Sequence, residues 1–348
     1  MQPVNVGIIG LGNVGLGTLE ILAENADQIA LKLGFPLRVA AVCSRNVQAK
    51  KLPAALGSPL KTTNWREVVE HPGVQIVAEL VGGTTVAREI IETAAAAGKS
   101  VVTANKELMA QCGSELWDRA IAARINIAME ASVAGGIPIH AVLREGISGD
   151  RITTLYGILN GTCNYILTEI ERRGAEFAPV LAEAQAAGYA EADPSADLDG
   201  DDACAKLAIL CALAFGLRVD PSQIAVRSSA SIGVSDFARA RQRGATIRQV
   251  AFADYDHQAS LLTAWVAPVE VEAASLFGRT TGPRNAALIT GVHSGEIGIF
   301  GAGAGGDATA VALLGDITAI ARDKAAIVPA PILTSKFTIL DSALLEAV

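Results

Sequence analysis

Six carboxylates and one lysine crowd a single short stretch. Glu191, Asp193, Asp197, Asp199, Asp201 and Asp202 precede Lys206, which opens onto the apolar run Leu207 to Leu213. A chain that is only 18% charged does not concentrate acid in this way by composition alone. Acidic residues suit a helix N-terminus, where the dipole favours negative charge, and this accounts for Asp199, Asp201 and Asp202 as caps and first-turn acids. It leaves Lys206 unexplained. On a helix Asp202 and Lys206 stand four apart on one face, and Ile209 and Leu213 continue the stripe. A lysine at the edge of a buried face beside a carboxylate is either a structural ion pair or an acid/base or ligand-binding group.

The elements that must position such a group begin at the N-terminus. Val4 to Ile9 is a short apolar run of the buried, parallel-sheet kind. Gly10-Leu11-Gly12-Asn13-Val14-Gly15 follows, then a helical pattern through Leu19, Ile21 and Leu22, then a strand over Leu37 to Val42. This is a strand, glycine turn, helix and strand of the dinucleotide-binding type. Gly10 and Gly12 permit a tight turn and close approach of a pyrophosphate, Gly15 lets the helix pack on the sheet, and the helix N-terminus faces the anion. The second strand ends in Cys43-Ser44-Arg45-Asn46, with Lys50 and Lys51 beyond, where an NAD-specific site usually carries Asp or Glu. A guanidinium at Arg45 suits a 2′-phosphate, so NADP is expected to be accepted and preferred over NAD; otherwise Arg45 is a solvated loop residue.

Gln75 to Val81 reads as the next strand and ends in Gly82-Gly83-Thr84-Thr85; Ser100 to Thr103 reads as another and runs into Ala104-Asn105-Lys106. Ligands of open α/β sheets bind beyond the carboxyl ends of strands, which makes Gly82, Thr84, Asn105 and Lys106 cleft candidates. Ile125 to Glu130 reads as a further strand before a glycine-rich turn. Glu130 there either supplies oxygen to a hard cation or simply precedes a helix. Near residue 149 the pattern changes. Arg151 to Leu159 alternates like a half-covered strand, Asn160 to Tyr165 turns into a helix, and helices over Phe177 to Ala187 and Asp201 to Phe215 flank the acid-rich stretch. Strands follow over Ala259 to Ala267, Ala287 to Val292 and Glu296 to Phe300. A second glycine-rich turn, Gly301 to Gly306 with Gly303 and Gly305, opens a helix over Ala308 to Ala321 that either approaches the cofactor or returns to the first domain. The expected fold is α/β: a Rossmann-type dinucleotide-binding domain over 1–148, an α+β domain with helices on one face of its sheet over 149–300, a helix over 301–322 returning to the nucleotide domain, and a tail over 323–348.

Composition supports this layering. Of 348 residues 51% are hydrophobic but only 4% aromatic, so the core is built of Ala, Val, Ile and Leu. A net charge of −8 with no basic run argues against nucleic acid and anionic membranes as partners. The five cysteines show no metal-ligand spacing, and Cys204 and Cys211 lie too far apart on one helix to bridge, which points to a reduced, cytoplasmic protein. Met1-Gln2-Pro3 leads into a strand without the features of a signal peptide, and no apolar run reaches the ~20 residues of a membrane span.

Taken together, Gly10 to Gly15, Thr103-Ala104-Asn105-Lys106, Asn160-Gly161-Thr162-Cys163-Asn164-Tyr165, the stretch from Gly188 to Lys206 and Gly301 to Gly306 make the chain, from about Val4 to Ala321, resemble the homoserine dehydrogenases. The resemblance implies NAD(P)-dependent interconversion of L-homoserine and L-aspartate 4-semialdehyde on the threonine and methionine route, by a homodimer whose second domain is both catalytic and dimerising. The sequence departs from the family pattern in lacking an N-terminal aspartate kinase and a C-terminal ACT-like regulatory domain, and so is expected to be a short form. By motif, Lys206 matches the family's acid/base lysine, Glu191 and Asp202 match substrate-holding carboxylates, and Lys106 matches a lysine near nicotinamide and substrate. Gly188 and Gly305 match cofactor contacts. Glu130 with the carbonyls of Val133, Gly135 and Ile137 matches a monovalent cation site, usually sodium. Asp197 is the further acid expected to support the site.

The chemistry suits these residue types. Oxidising a primary alcohol moves a hydride to nicotinamide and a proton to a base, and a lysine serves if burial and a second cation, here Lys106, lower its pKa. Asp202 pulls the other way and orients the amine, while Glu191 offers a partner to the substrate ammonium. Two other readings stand beside this one. An acylating semialdehyde dehydrogenase would use Cys163 as nucleophile, its pKa lowered by the helix that follows. A non-catalytic NADP-binding protein would keep the fold without the chemistry, against which both lysines argue.

Overall fold

β1 (Val4–Ile9) is buried along nearly its whole length, as a strand covered on both faces must be. The computed structural model describes residues 3–186, 190, 192–322 and 338–339. After β1 come α1 (Asn13–Glu24), α2 (Ala26–Leu33), β2 (Leu37–Cys43), β3 (Leu60–Thr62), α3 (Trp65–Val69), β4 (Ile76–Glu79), α4 (Thr85–Ala96), β5 (Ser100–Thr103), α5 (Lys106–Ala123) and β6 (Ile127–Ala128). These strands pair in parallel in the order β3-β2-β1-β4-β5-β6. This is a doubly wound sheet, and its order reverses between β1 and β4, so the crevice beyond their carboxyl ends is the place for a ligand.

The strand expected over Ile125 to Glu130 is cut to Ile127–Ala128, and Glu130–Ser132 forms a 3-10 turn. The cause lies in hydrogen bonds that compete with the ladder. The Glu130 N–H donates to Asp316 Oδ2 at 2.7 Å, and the Ser132 hydroxyl donates to the Met129 carbonyl at 2.6 Å.

The chain divides into two compact units, Met1–Gly136 with Gly305–Ile332 and Ile137–Ala304 with Leu333–Val348. In the second, α6 (Ile139–Ala141) continues as a π turn over Val142–Gly146. Then follow β7 (Ile152–Ile158), α7 (Gly161–Arg173), α8 (Phe177–Ala186), α9 (Ser195–Leu198), α10 (Asp201–Phe215), β8 (Ala225–Val226), α11 (Val234–Gln242), β9 (Ala245–Asp256), β10 (Leu261–Glu272), α12 (Leu276–Arg279), β11 (Arg284–Gly291) and β12 (Gly295–Ala302). α13 (Gly306–Arg322) belongs to the first unit, where Leu313, Ile317 and Ile320 join the core of Ile8, Leu19 and Val42. β13 (Thr338–Ile339) closes the second sheet, whose order is β12-β11-β7-β9-β10-β13 with β8 also beside β10.

The long strand β9 escapes a period-2 reading because Arg248 and Gln249 are buried side by side within it. Arg248 is satisfied by Glu171 at 2.9 Å and by the carbonyls of Ile247 and Gly278. α7, α10 and α11 pack against β9. The sheet also carries a cluster of Tyr156, Phe252, Trp265 and Phe277 with centroid spacings of 4.7, 4.9 and 6.3 Å. Among the described residues no helix is long and apolar enough to cross a membrane.

Burial of His140 sets an acid limit on stability. Desolvation, with the nearby Arg144 charge adding to it, lowers its pKa from 6.5 to about 3. The native state therefore binds fewer protons than the unfolded chain between about pH 3 and 6.5, and stability falls as pH drops below 6.5. Urea unfolding should show that His140 accounts for about 2 kcal/mol of the loss between pH 7 and pH 5, and His140→Gln should remove that share.

Candidate active site

In the first unit the carboxyl ends of β1, β2, β4 and β5 gather most of the expected cofactor residues. Gly10 has φ 109°, and a Cβ there would stand 2.4 Å from the Leu80 carbonyl oxygen. At Gly15 a Cβ would stand 2.1 Å from the Gly10 carbonyl oxygen. Both positions demand glycine. A Cβ at Gly12, by contrast, would meet nothing within 4 Å. Gly12 is the N-cap of α1, makes no side-chain cap, and no acidic residue occupies the first turn that Asn13 and Val14 begin. Exposed backbone N–H groups at an uncapped helix start, facing open space, fit a pyrophosphate. Leu11 is buried beneath the turn. Arg45 is exposed just past β2, with Ser44 and Asn46 hydrogen-bonded to each other at 2.9 Å beside it. Gly82 and Thr84 follow β4, and Lys106 is the exposed first residue of α5. Asn105 caps α5, its Oδ1 accepting from the Leu108 N–H at 3.1 Å, and its Nδ2 donates to the Gly83 carbonyl at 2.7 Å.

In the second unit Lys206 lies on α10, one turn after Asp202. Its Nζ donates to Asp202 Oδ2 at 2.6 Å and to the Leu159 carbonyl at 2.7 Å. The two side chains are only 11% and 4% exposed. Asn160 Nδ2 donates to the same Asp202 oxygen at 2.8 Å and to Asp197 Oδ1 at 2.6 Å. Asn285 Nδ2 donates to the Leu159 carbonyl at 3.1 Å, so that carbonyl receives both Asn285 and Lys206. Asp197, Asp202 and Lys206 thus belong to one buried network. Of the remaining acids, Asp193 accepts from the Ser195 N–H, Asp199 accepts from the Ser228 hydroxyl, and Asp201 is exposed in the first turn of α10. Glu191 and Gly188 lie outside the described residues.

Two members of this network carry no role in the sequence reading. Asn160 shows a signal, since an Asn before a helical run is an N-cap, and its Oδ1 indeed accepts from the Cys163 N–H at 2.7 Å. Asn285 shows none. Gly303 packs within the second unit, where a Cβ would stand 2.2 Å from the Asn285 amide oxygen. Gly305 belongs to the first unit, with φ 123°.

Glu130 is buried in the first unit, followed by Val133 and a turn in which Ala134 and Gly135 both have φ 61°. Ile137 begins the second unit, and its carbonyl accepts from the Ile139 N–H at 2.8 Å. Among the described residues no group of three or more His, Cys, Asp or Glu could hold a metal; the implied cation set contains only one such residue, Glu130.

The acylating alternative would need a thiolate at Cys163, and the structure does not supply one. Cys163 is fully buried, and burial pushes its thiol up to about 12. The Cys163 backbone N–H at the start of α7 already donates to Asn160 Oδ1. The acylating alternative therefore lacks its nucleophile. Iodoacetamide at pH 8 should leave Cys163 unlabelled in the native protein and label it in urea, as read by peptide mass spectrometry. For the ion pair, Asp202→Ala strips a buried lysine of its carboxylate and should cost about 3–5 kcal/mol in chemical denaturation.

The chain is similar along most of its length to proteins of one family. A family model described as homoserine dehydrogenase matches residues 138–318, and one described as the NAD binding domain of homoserine dehydrogenase matches residues 10–130. The homoserine dehydrogenase of Neisseria gonorrhoeae is 38% identical over 322 residues, 92% of this chain and 73% of that one. The crystal structure of a homoserine dehydrogenase from Thiobacillus denitrificans superposes with a TM-score of 0.89 at 39% identity, covering 97% of this chain and 79% of that one. A hyperthermophilic archaeal homoserine dehydrogenase mutant in complex with NADPH superposes with a TM-score of 0.76 at 27% identity, covering 92% and 98%. With both family models and these relatives spanning nearly all of it, the chain belongs to the homoserine dehydrogenase family.

Proposed function

We propose that this protein interconverts L-homoserine and L-aspartate 4-semialdehyde with a nicotinamide dinucleotide, NADP in preference to NAD, and that Lys206 is its acid/base group. The observation that carries this reading is the buried Lys206–Asp202 pair, tied to Asn160 and Leu159, in a chain that also holds an open glycine turn at the start of α1. The bound nicotinamide supplies hydride acceptance and donation. The first unit contributes N–H donors from Leu11 to Val14 toward a pyrophosphate, with Gly82, Thr84 and Lys106 beyond β4 and β5. In the second unit Lys206, as the neutral amine, takes the hydroxyl proton during oxidation and, as the ammonium, returns it during reduction. Asp202 and the Leu159 carbonyl fix Nζ so that it does not have to be ordered at each turnover. Asp197 acts on the pair through Asn160, and Glu191 holds the substrate ammonium.

Oxidation releases a proton, so homoserine-dependent reduction of NADP is best followed at alkaline pH. A folded preparation that binds NADP but gives no turnover with homoserine excludes the assignment. Lys206→Ala should lower kcat by about 10²–10⁴-fold and leave the NADP Kd unchanged. Arg45 stands where a 2′-phosphate would be read, and Arg45→Ala should weaken NADP by about 10–100-fold while sparing NAD.

Two further assignments rest on the same reading. A monovalent cation, sodium by resemblance, would be held by Glu130 and the carbonyls of Val133, Gly135 and Ile137. The chemistry of that set, one carboxylate and neutral oxygens, suits a singly charged ion. The rate should then rise with added sodium, and Glu130→Gln should abolish that response. A homodimer is supported by the aromatic face of the second sheet, where Tyr156, Trp265, Phe277 and Leu288 line a shallow cleft that Glu270 and Glu296 also border. Light scattering of Leu288→Asp should report a monomer.

A further inference from the structure

We propose that Glu79, to which no role has been assigned, is a positioning residue for the cofactor, clamping the two loops that present Thr84 and Lys106; this rests on the dehydrogenase reading above. Glu79 is the last residue of β4 and is 0% exposed. A carboxylate sealed at a strand end must have its oxygens satisfied by design of the surrounding chain. Oε1 accepts from the Val81 N–H at 2.8 Å, and Oε2 accepts from the Thr103 hydroxyl at 2.6 Å. Thr103 ends β5, so this one carboxylate bridges the ends of two neighbouring strands.

The bridge continues outward. The Thr103 oxygen accepts from the Asn105 N–H at 3.0 Å, and the Asn105 side chain returns to the Gly83 carbonyl at 2.7 Å while capping α5 through Leu108. The result is a closed circuit from Glu79 through Thr103 and Asn105 to Gly83, with the Val81 N–H returning to Glu79. The backbone N–H groups of Val81 and Asn105 can only donate, so Glu79 Oε1 and the Thr103 oxygen must each accept. The Thr103 hydroxyl has one proton, and Glu79 Oε2 is the buried acceptor it finds. Burial, the largest effect, holds the Glu79 carboxyl above its usual range, although hydrogen bonds from Thr103, Val81, Gly82 and Asn105 pull it back down. Gly82 to Thr84 and Lys106 are carried at the outer edge of this circuit, and all of these residues belong to the first unit. A glutamine keeps one oxygen for the Val81 N–H but turns an NH2 group toward Thr103, whose proton then loses its buried acceptor, and this loosens the circuit that holds both loops.

The test compares variants at both ends of the bridge. Glu79→Gln and Thr103→Val should each raise the NADP Kd, measured by calorimetry, and the NADP KM, about tenfold or more, with kcat falling as well. Thr103→Ser keeps the hydroxyl and should stay within about twofold of the parent. The double variant Glu79→Gln/Thr103→Val should be little worse than either single one, since both break one circuit. A purely structural role would lower melting temperature and active fraction but leave Kd and KM at parental values. That outcome in Glu79→Gln, or in Thr103→Val should Glu79→Gln not fold, overturns the inference. A parent inactive with homoserine would instead sink the dehydrogenase reading, and the calorimetric Kd would still decide the clamp.

Discussion

A charged pair withdrawn from water has to find in the protein the partners that water supplied, and much of the second unit is arranged to meet that demand. Asp202 and Lys206 are joined on one helix face, but the pair alone would leave lone pairs and protons unmatched. Asn160 completes the carboxylate and the Leu159 carbonyl completes the ammonium. These two residues are consecutive, at the junction of β7 and α7, so the sheet and two helices are referenced to the same pair of charges. Asn285, on β11, holds the Leu159 carbonyl from the other side. Displacing any one of these elements would leave a buried polar atom exposed to an apolar surround.

The first unit solves a different problem. A parallel sheet points all its carboxyl ends one way, and the loops that leave those ends have few neighbours to define them. The turn after β1 is defined by close backbone approach, which only glycine at positions 10 and 15 allows. The loops after β4 and β5 are defined by a buried carboxylate and a threonine hydroxyl. One device relies on the absence of side chains, the other on side chains placed where no water reaches.

How much of this is legible in the sequence follows from the distance over which each feature acts. The turn from Gly10 to Gly15 and the pairing of Asp202 with Lys206 are local, and their spacing alone suggests them. The strands whose patterns are uniform, such as Ser100–Thr103, stand out as well. β9 does not, because Arg248 and Gln249 are buried by partners far along the chain, Glu171 and Gly278 among them. Asn160 reads as a helix cap but not as the link to Asp197 and Asp202, which lie 37 and 42 residues on. Glu79 looks like an ordinary polar end to an apolar strand, and only the register of β4 beside β5 brings Thr103 to it. Cys163, a nucleophile only under the acylating alternative, is sealed in the core, and a residue near a helix start is reactive only where solvent reaches it.

The path of the chain through the first unit has a consequence for how the protein is made. The six-stranded sheet is complete by Ala128, yet part of its core comes from α13, which begins at Gly306. On the ribosome, residues 137–304 of the second unit emerge before Leu313, Ile317 and Ile320 can cover the apolar surface around Leu19. The nascent nucleotide-binding sheet therefore waits with an open flank through that interval, and α13, the last long helix among the described residues, is the one that seals it.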